Sequence, residues 1–372
     1  MKTKFKYATL AAAALLLGFT GCSNDEETGG KTTDDTVKNV TVRISAPSTY
    51  AEEATAVGKT PVISDANVYF VGGGVVKATG IMIAADIAGN GKVFSDVPGS
   101  ATKVVIISNA GALSSPDLSA ITVNSSENAL NAIMFEQDKQ TDPANAVNVY
   151  GSADITGTPG SETAAVTLKP AISRIEIGKV EANTQASISL SSFKLAGIYI
   201  NNTYTKCGTD YSTLPSVAAD ILNYGGTDAI WTNGSYPARF KDEWASPVSG
   251  TSFTPATSTN KWSYYVMPVI AGKGTTINTV QQSSIPHIVL KIVDAQSTGF
   301  GFSSTSYVTV KEIKVSNTAL TQLERGKVYT ITSIKIGGEN LAATPETPAE
   351  QNISVTATVT DWEDQPVDPV LN

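Results

Sequence analysis

The chain has 372 residues, enough for two ordinary domains, and 41% of them are hydrophobic against 16% charged. With 26 Lys and Arg against 34 Asp and Glu the net charge is −8, which argues against nucleic acid or an anionic membrane face as partner. Gly 30 and Pro 17, with abundant Val, Ile and Thr, favour short strands and many turns over helices.

The first residues read as an address. Lys2, Lys4 and Lys6 form a positive start, and Ala8 to Phe19 is an apolar run too short to span a bilayer. Phe19-Thr20-Gly21-Cys22 resembles a bacterial lipobox, with Phe19 in place of the usual Leu. It implies a signal peptide over 1–21, cleavage before Cys22 and acylation of that Cys, giving a lipid-anchored and not a spanning protein. The other reading is an ordinary secretory signal with a chance Cys. Asp25, Glu26 and Glu27 follow in a polar tether, 22–38, and resemble a surface-export signal of outer-membrane lipoproteins. With Cys22 acylated, Cys207 has no disulfide partner.

Asn39 to Ser45 places Val40, Val42 and Ile44 on one face of a first strand. Ala46 to Thr60 is a loop without periodicity. Val68–Val71, Val75–Lys77 and Gly80–Ala84 read as strands, with a tight turn at Gly72-Gly73-Gly74 and a hairpin signal at Gly89-Asn90-Gly91. Lys103–Ser108 is a continuous apolar run, expected as a central strand. Ser125 or Ser126 is expected to cap a helix through Gln137, with Ala129, Ile133 and Leu130 inward. Val147–Tyr150 closes an N-terminal domain, 39–160, and Thr156–Thr163 is a linker candidate.

A second β-rich domain is expected over 161–337. Its strands are Ala165–Leu168, Ile172–Val180, Phe193–Ile200, Trp262–Met267, Pro286–Val293, Tyr307–Val315 and Lys327–Ile336. Residues 201–260 are rich in turns and hold Tyr211, Tyr224, Trp231, Tyr236, Phe240 and Trp244. Gly337 to Asn352 reads as a polar spacer. Beyond it, Ile353, Val355, Ala357 and Val359 alternate with polar residues in a final strand that ends in Asp361 and Trp362. Such a strand needs an open sheet edge, on its own chain or on a neighbour's.

Catalytic signals are thin. The one histidine, His287, lies in a strand pattern, so neither a His-rich metal site nor a Ser-His-Asp triad is expected to form around it. Gly58-Lys59-Thr60 resembles the end of a P-loop, but Glu53 stands where its first Gly belongs. Asp210, Asp220, Asp228, Asp242 and Glu243 cluster in the turn-rich region, where surface solvation accounts for them. The aromatics there suit either a core or a sugar-stacking platform. No cofactor, metal or enzymatic activity is expected.

Several blocks occur in an order that resembles the FimA-like fimbrillins, subunits of the type V pili of Bacteroidales. They are NVTVRISAP, SDANVYFVGGGVVKA, KVVIISNAG, VTLKPAISRIEIGKVEA, SSFKLAGIYINNTY, WSYYVMPVIAG, PHIVLKI, LERGKVYTITSIKI and VTATVTDWED. The resemblance covers the whole mature chain and rests on order, spacing and lipobox together. It implies an all-β fold with minor helix, built as two tandem transthyretin-like Greek-key β-sandwich domains. It further implies a lipidated precursor exported to the cell surface, loss of the first strand (Val40, Val42, Ile44) to a processing protease, and polymerisation by donor-strand exchange. Residues 338–372 would then hold a spacer and the donor strand, with Ile353, Val355, Ala357, Val359 and Trp362. The protease of this family is often Arg-specific, yet 46–60 holds no Arg. A cut after Lys59, a cut after Arg43, another specificity, or no cut at all (an anchor subunit) stay open. The implied partners are other pilus subunits, the protease and an unknown host or microbial receptor, with membrane contact only through the lipid. The rival reading is an outer-membrane surface glycan-binding lipoprotein that uses Trp231, Trp244 and Trp262.

Overall fold

The computed structural model describes residues 36–45, 63–140, 147–209, 218–256, 261–268, 276–277, 280–281, 285–346 and 353–361. The signal segment with Cys22, the 46–62 segment with Lys59, Asp210, Tyr211 and Trp362 lie outside them.

Alternation of apolar and polar residues builds an N-terminal unit of two sheets. Its strands are β1 (Val37–Ser45), β2 (Asp65–Gly72), β3 (Val75–Ile83), β4 (Lys92–Pro98), β5 (Lys103–Ser108), β6 (Val149–Asp154), β7 (Glu162–Thr167) and β8 (Lys169–Pro170). One sheet has the order β3-β2-β5-β6-β8 and the other β4-β1-β7. The run from Lys103 to Ser108 is central, as its composition predicts, and five of its six residues are buried. The β2–β3 hairpin turns on Gly73 and Gly74, both at positive φ, 59° and 76°, which glycine adopts without a Cβ clash.

Four expectations need correction. The linker candidate is a turn inside this unit: Thr156 and Thr163 bridge, and β7 then lies beside β1. Ala164, Val166 and Leu168 point inward and belong to the first core, so the unit reaches Pro170 instead of ending at 160. The helix is only Glu127–Asn131, capped by the Ser126 hydroxyl, which accepts from the Ala129 amide at 3.1 Å. Leu130 is buried but Ala129 is exposed. Met134–Glu136 leaves the helix as a strand against Lys206–Gly208 and buries Phe135 opposite Cys207, because an apolar residue gains more in that bridging sheet than on a solvated helix. Gly89-Asn90-Gly91 does not join a hairpin, since β3 and β4 lie in different sheets; a short helix, Ala84–Ala88, precedes it.

The C-terminal unit is built on one long sheet that curls toward closure, with a separate three-stranded sheet of Ser252–Phe253, Val180–Ala182 and Ile334–Ile336. Its main strands are β9 (Ser173–Ile177), β10 (Ser192–Asn201), β11 (Trp262–Val266), β12 (His287–Gln296), β13 (Thr305–Val315), β14 (Lys327–Ile331) and β15 (Ile353–Asp361). From the short strand Lys241–Glu243 the order is β10-β12-β13-β15-β14-β9-β11. The two ends meet through side chains: Tyr264 Oη donates to Asp242 Oδ2 at 2.6 Å, and the Trp244 and Trp262 rings are 5.8 Å apart. A second hydrophobic core fills this unit. The units are joined by the bridging sheet, by Gln137 Nε2 donating to the Tyr265 carbonyl at 2.9 Å, and by Arg325 stacked 4.9 Å from the Tyr150 ring centre. The fold is therefore all-β with minor helix, as expected.

Candidate functional site

The first strand is an interior strand. β1 runs antiparallel to β4, from Val37 opposite Pro98 to Val42 opposite Lys92. On its other side it runs parallel to β7, from Val40 opposite Glu162 to Ser45 opposite Thr167. Val40 and Val42 are fully buried and Ile44 is half-buried. Gly91 permits the close approach of β4: a Cβ there would lie 2.2 Å from the Val42 carbonyl oxygen. Lys38 Nζ donates to the Ala101 carbonyl at 2.8 Å, and Arg43 Nε to that of Asn90 at 3.2 Å. Removal of β1 would empty two apolar seats and leave β4 and β7 each with an unpaired edge.

Arg43 is exposed, but its residue is paired with Ala165 of β7. A protease must draw its substrate into an extended cleft, so a cut there requires the strand to leave the ladder first. The fold thus protects Arg43 from a cut while β1 is seated.

Of the two places open to it, an edge on its own chain or on a neighbour's, the final strand takes the one in its own domain. β15 lies between β13, to which it is parallel, and β14, to which it is antiparallel. Val355 and Ala357 are buried at 5% and 4% exposure, while Ile353 and Val359 are half-buried. Ser354, Thr356, Thr358 and Thr360 face solvent. This is the parity the sequence predicts.

The spacer is only in part a spacer. Gly338–Asn340 forms a turn whose three residues are buried. Glu339 caps two backbone amides, accepting from Ser187 at 3.0 Å and Ile188 at 3.1 Å. Ala342 bridges Tyr307. Sequence reading missed this because Gly338, Glu339 and Asn340 carry no apolar period; the Glu339 partners lie some 150 residues earlier in the chain.

His287 is buried beside a carboxylate: its Nδ1 stands 2.9 Å from Glu346 Oε2. The described carboxylates of the turn-rich region are committed to structure. Asp242 holds Tyr264, Glu243 pairs with Lys241 at 2.6 Å and also accepts from Tyr199, and Asp220 stands 3.7 Å from Lys206. Among the described residues no group of three or more His, Cys, Asp or Glu could hold a metal. No described helix is long and apolar enough to cross a membrane.

The aromatics divide between core and surface. Trp231, Tyr236 and Phe240 are buried, and Trp231 and Tyr236 pack around Tyr199 edge to face. Trp244 and Trp262 line a cleft of about 250 Å³ with Leu195 and Phe253. Their rings are inclined by 67° to each other. Among the described residues, Trp244 and Trp262 are therefore not coplanar, and Trp231 is buried.

No family model and no curated protein sequence matches the chain. Its fold does match solved structures. A protein from Parabacteroides distasonis ATCC 8503, provisionally assigned to cell adhesion, superposes with a TM-score of 0.58 at 13% identity, over 88% of this chain and 100% of the other. A fimbrilin (FimA) from Porphyromonas gingivalis W83 gives 0.54 at 15% identity, over 88% and 99%. A protein from Bacteroides eggerthii DSM 20697, again provisionally assigned to cell adhesion, gives 0.51 at 16%, over 88% and 96%. At these identities the likeness is one of fold, and it agrees with the fold that the sequence resemblance implies.

Proposed function

We propose that the chain is a stalk-type structural subunit of a cell-surface fimbria, without catalysis, which joins its neighbour by strand exchange and serves adhesion. The precursor is lipidated at Cys22 and exported to the outer-membrane surface. A protease then cuts within 46–62, where Lys59 is the only basic residue, and β1 is lost. The β15 segment of a neighbour fills the slot.

The observation that carries this reading is the match between the slot and the strand. Val40-Thr41-Val42-Arg43-Ile44-Ser45 lies in the slot; Val355-Thr356-Ala357-Thr358-Val359-Thr360 is the segment offered to it. Apolar and polar residues fall at the same places. Each strand also has one parallel and one antiparallel neighbour. A segment with this pattern restores both ladders and refills the apolar seats by β-augmentation. A head-to-tail contact of this kind does not close on itself, so repetition yields a fibre.

The seat that β15 now occupies shapes the energetics. Moving it from one seat to another is a near-even exchange of buried surface. The gain must come from what happens to β13 and β14 afterwards. One is parallel and the other antiparallel to β15, so they are antiparallel to each other and have the sense needed to pair directly.

The test is the N-terminal sequence and intact mass of subunits sheared from the cell surface. A start beyond Ser45, with the C-terminus intact, supports processing and donation. A start at Cys22 in the filament itself would overturn it.

A further inference from the structure

We infer that Glu346 is the pin at which the C-terminal segment stays fixed to its own domain, so that residues up to 346 remain docked when β15 leaves. The consequence in a fibre rests on the donor reading above, whereas the pin is a property of the single molecule.

Glu346 is the last described residue before β15. Its side chain is 11% exposed and receives donors from three separate elements. Asn201 Nδ2, at the end of β10, donates to Oε1 at 2.8 Å. His287 Nδ1, at the start of β12, stands 2.9 Å from Oε2. Lys311 Nζ, on β13, is 3.2 Å from Oε2. The backbone is held as well: the Glu346 amide donates to Thr309 Oγ1 at 3.0 Å, and its carbonyl accepts from Lys311 Nζ at 3.0 Å. A carboxylate taken out of water holds its charge only when it is paired and hydrogen-bonded in this way.

The donors are themselves held in place. Asn201 Oδ1 accepts from the Tyr224 amide at 3.0 Å and from Tyr236 Oη at 3.3 Å. His287 Nε2 lies 3.3 Å from the side-chain amide nitrogen of Asn202, which holds the ring with Nδ1 turned toward Glu346. Lys311 is the extra residue of a β-bulge: Val310 pairs with Ile353 and Glu312 with Ser354, so Lys311 has no partner in that ladder and its side chain turns back to Glu346. Glu346 also has φ +60°, a conformation that a residue with a Cβ keeps only where its surroundings fix it.

The chain beyond the pin has spare length. Glu346 is bonded to Thr309, and Ile353 pairs with the next residue of the same strand, Val310. Between these two points lie the six residues 347–352, with a contour of about 25 Å from Glu346 to Ile353 at full extension. The folded-back arrangement joins neighbouring points of one strand and does not need that reach. A strand crossing to another molecule does. The pin therefore sets the reach of the donor: its first seated residue lies within about 25 Å of the Glu346 clamp.

Native-state hydrogen exchange on the full-length, unprocessed chain tests the pin directly. The Ala342 and Glu346 amides are expected to open in a rarer event than the ladder amides of β15. In Glu346→Ala they are expected to exchange about 10- to 100-fold faster and to open together with β15; Glu346→Gln, which keeps the Asn201 contact, falls between. Wild-type Ala342 and Glu346 amides that exchange in step with β15 overturn the pin, and this comparison stands even where the alanine variant does not fold. In processed fibres the same two amides are expected to stay protected, and two residues inserted within 347–352 to lengthen the axial repeat. Fibres in which those amides are open reject the pin and leave the donor reading intact. Absence of fibres from the processed wild type rejects the donor reading, while exchange in the monomer still decides the pin.

Discussion

The fit of β15 to the β1 slot can be measured by peptide competition. Aligned on their buried positions, Val355 takes the place of Val40, Ala357 that of Val42 and Val359 that of Ile44. Val42 is fully buried, so Ala357 forfeits two methyl groups, about 1.6 kcal/mol at ~0.8 kcal/mol per buried carbon. Ile44 is half-buried, so the change to Val359 adds about 0.4 kcal/mol. The sum, about 2 kcal/mol, corresponds to roughly 30-fold weaker binding than the chain's own first strand. The assay uses protein cut within 46–62, a labelled Val37–Ser45 peptide, and unlabelled Ile353–Asp361 as competitor, read by fluorescence anisotropy. An Ala357→Val competitor is expected to bind about 15-fold tighter than the natural sequence. Ala357→Ile should gain nothing more, since the Val42 place is enclosed and overfilling it costs about as much as it gains. If the donor sits two residues further along, Ala357 lies at the looser Ile44 position and isoleucine binds tighter still. An unchanged affinity for Ala357→Val, or equal competition by a peptide whose apolar residues are moved by one position, refutes the reasoning, because a one-residue slip turns every apolar side chain to solvent.

Other outcomes follow from the same geometry. In limited proteolysis of the folded full-length chain, a Lys-specific protease should separate β1 well before an Arg-specific one does, since Arg43 lies in a ladder; mass analysis of the fragments decides it. Val355→Asp, at a position 5% exposed, should unseat β15 and destabilise the C-terminal unit by about 3 kcal/mol or more, seen as an earlier first transition on melting, with the N-terminal core little changed. Loss of residues 351–372 should have the same effect, because it strips Val355 and Ala357 from the second core. Glu346 contributes to the pH dependence of stability: burial pushes its carboxyl up, but the His287 hydrogen bond and charge, Asn201 and Lys311 outweigh it and hold the group below its usual range. A depressed folded value means that its stabilisation is complete above the unfolded value of ~4.3 and is lost as pH falls through the folded one. Melting temperatures of wild type and Glu346→Gln should therefore differ above pH ~5 and converge on acidification below pH ~4; parallel curves throughout would remove Glu346 from the account.

For most strands the sequence by itself determined their place in the chain and which side is apolar. Alternation in Asn39–Ser45 and Ile353–Thr360 is a property of the local chain, and both strands bury the residues that parity selects. It also determined the centrality of Lys103–Ser108, since a run of apolar residues without alternation has no solvent face to offer. What it could not determine was pairing. The turn at Thr156–Thr163 and a linker are written in the same Gly, Pro and Ser residues; only the alignment of β7 beside β1 shows which it is. The strand at Met134–Glu136 and a continued helix compete for the same apolar residues, and the decision belongs to Cys207, some 70 residues away. Glu346 is one acidic residue in a polar stretch until His287, Asn201 and Lys311 converge on it from three strands. Local periodicity fixes an element and its faces. Which edge it meets, and which charges it brings together, depends on distant segments whose contacts are formed only when the whole sheet closes.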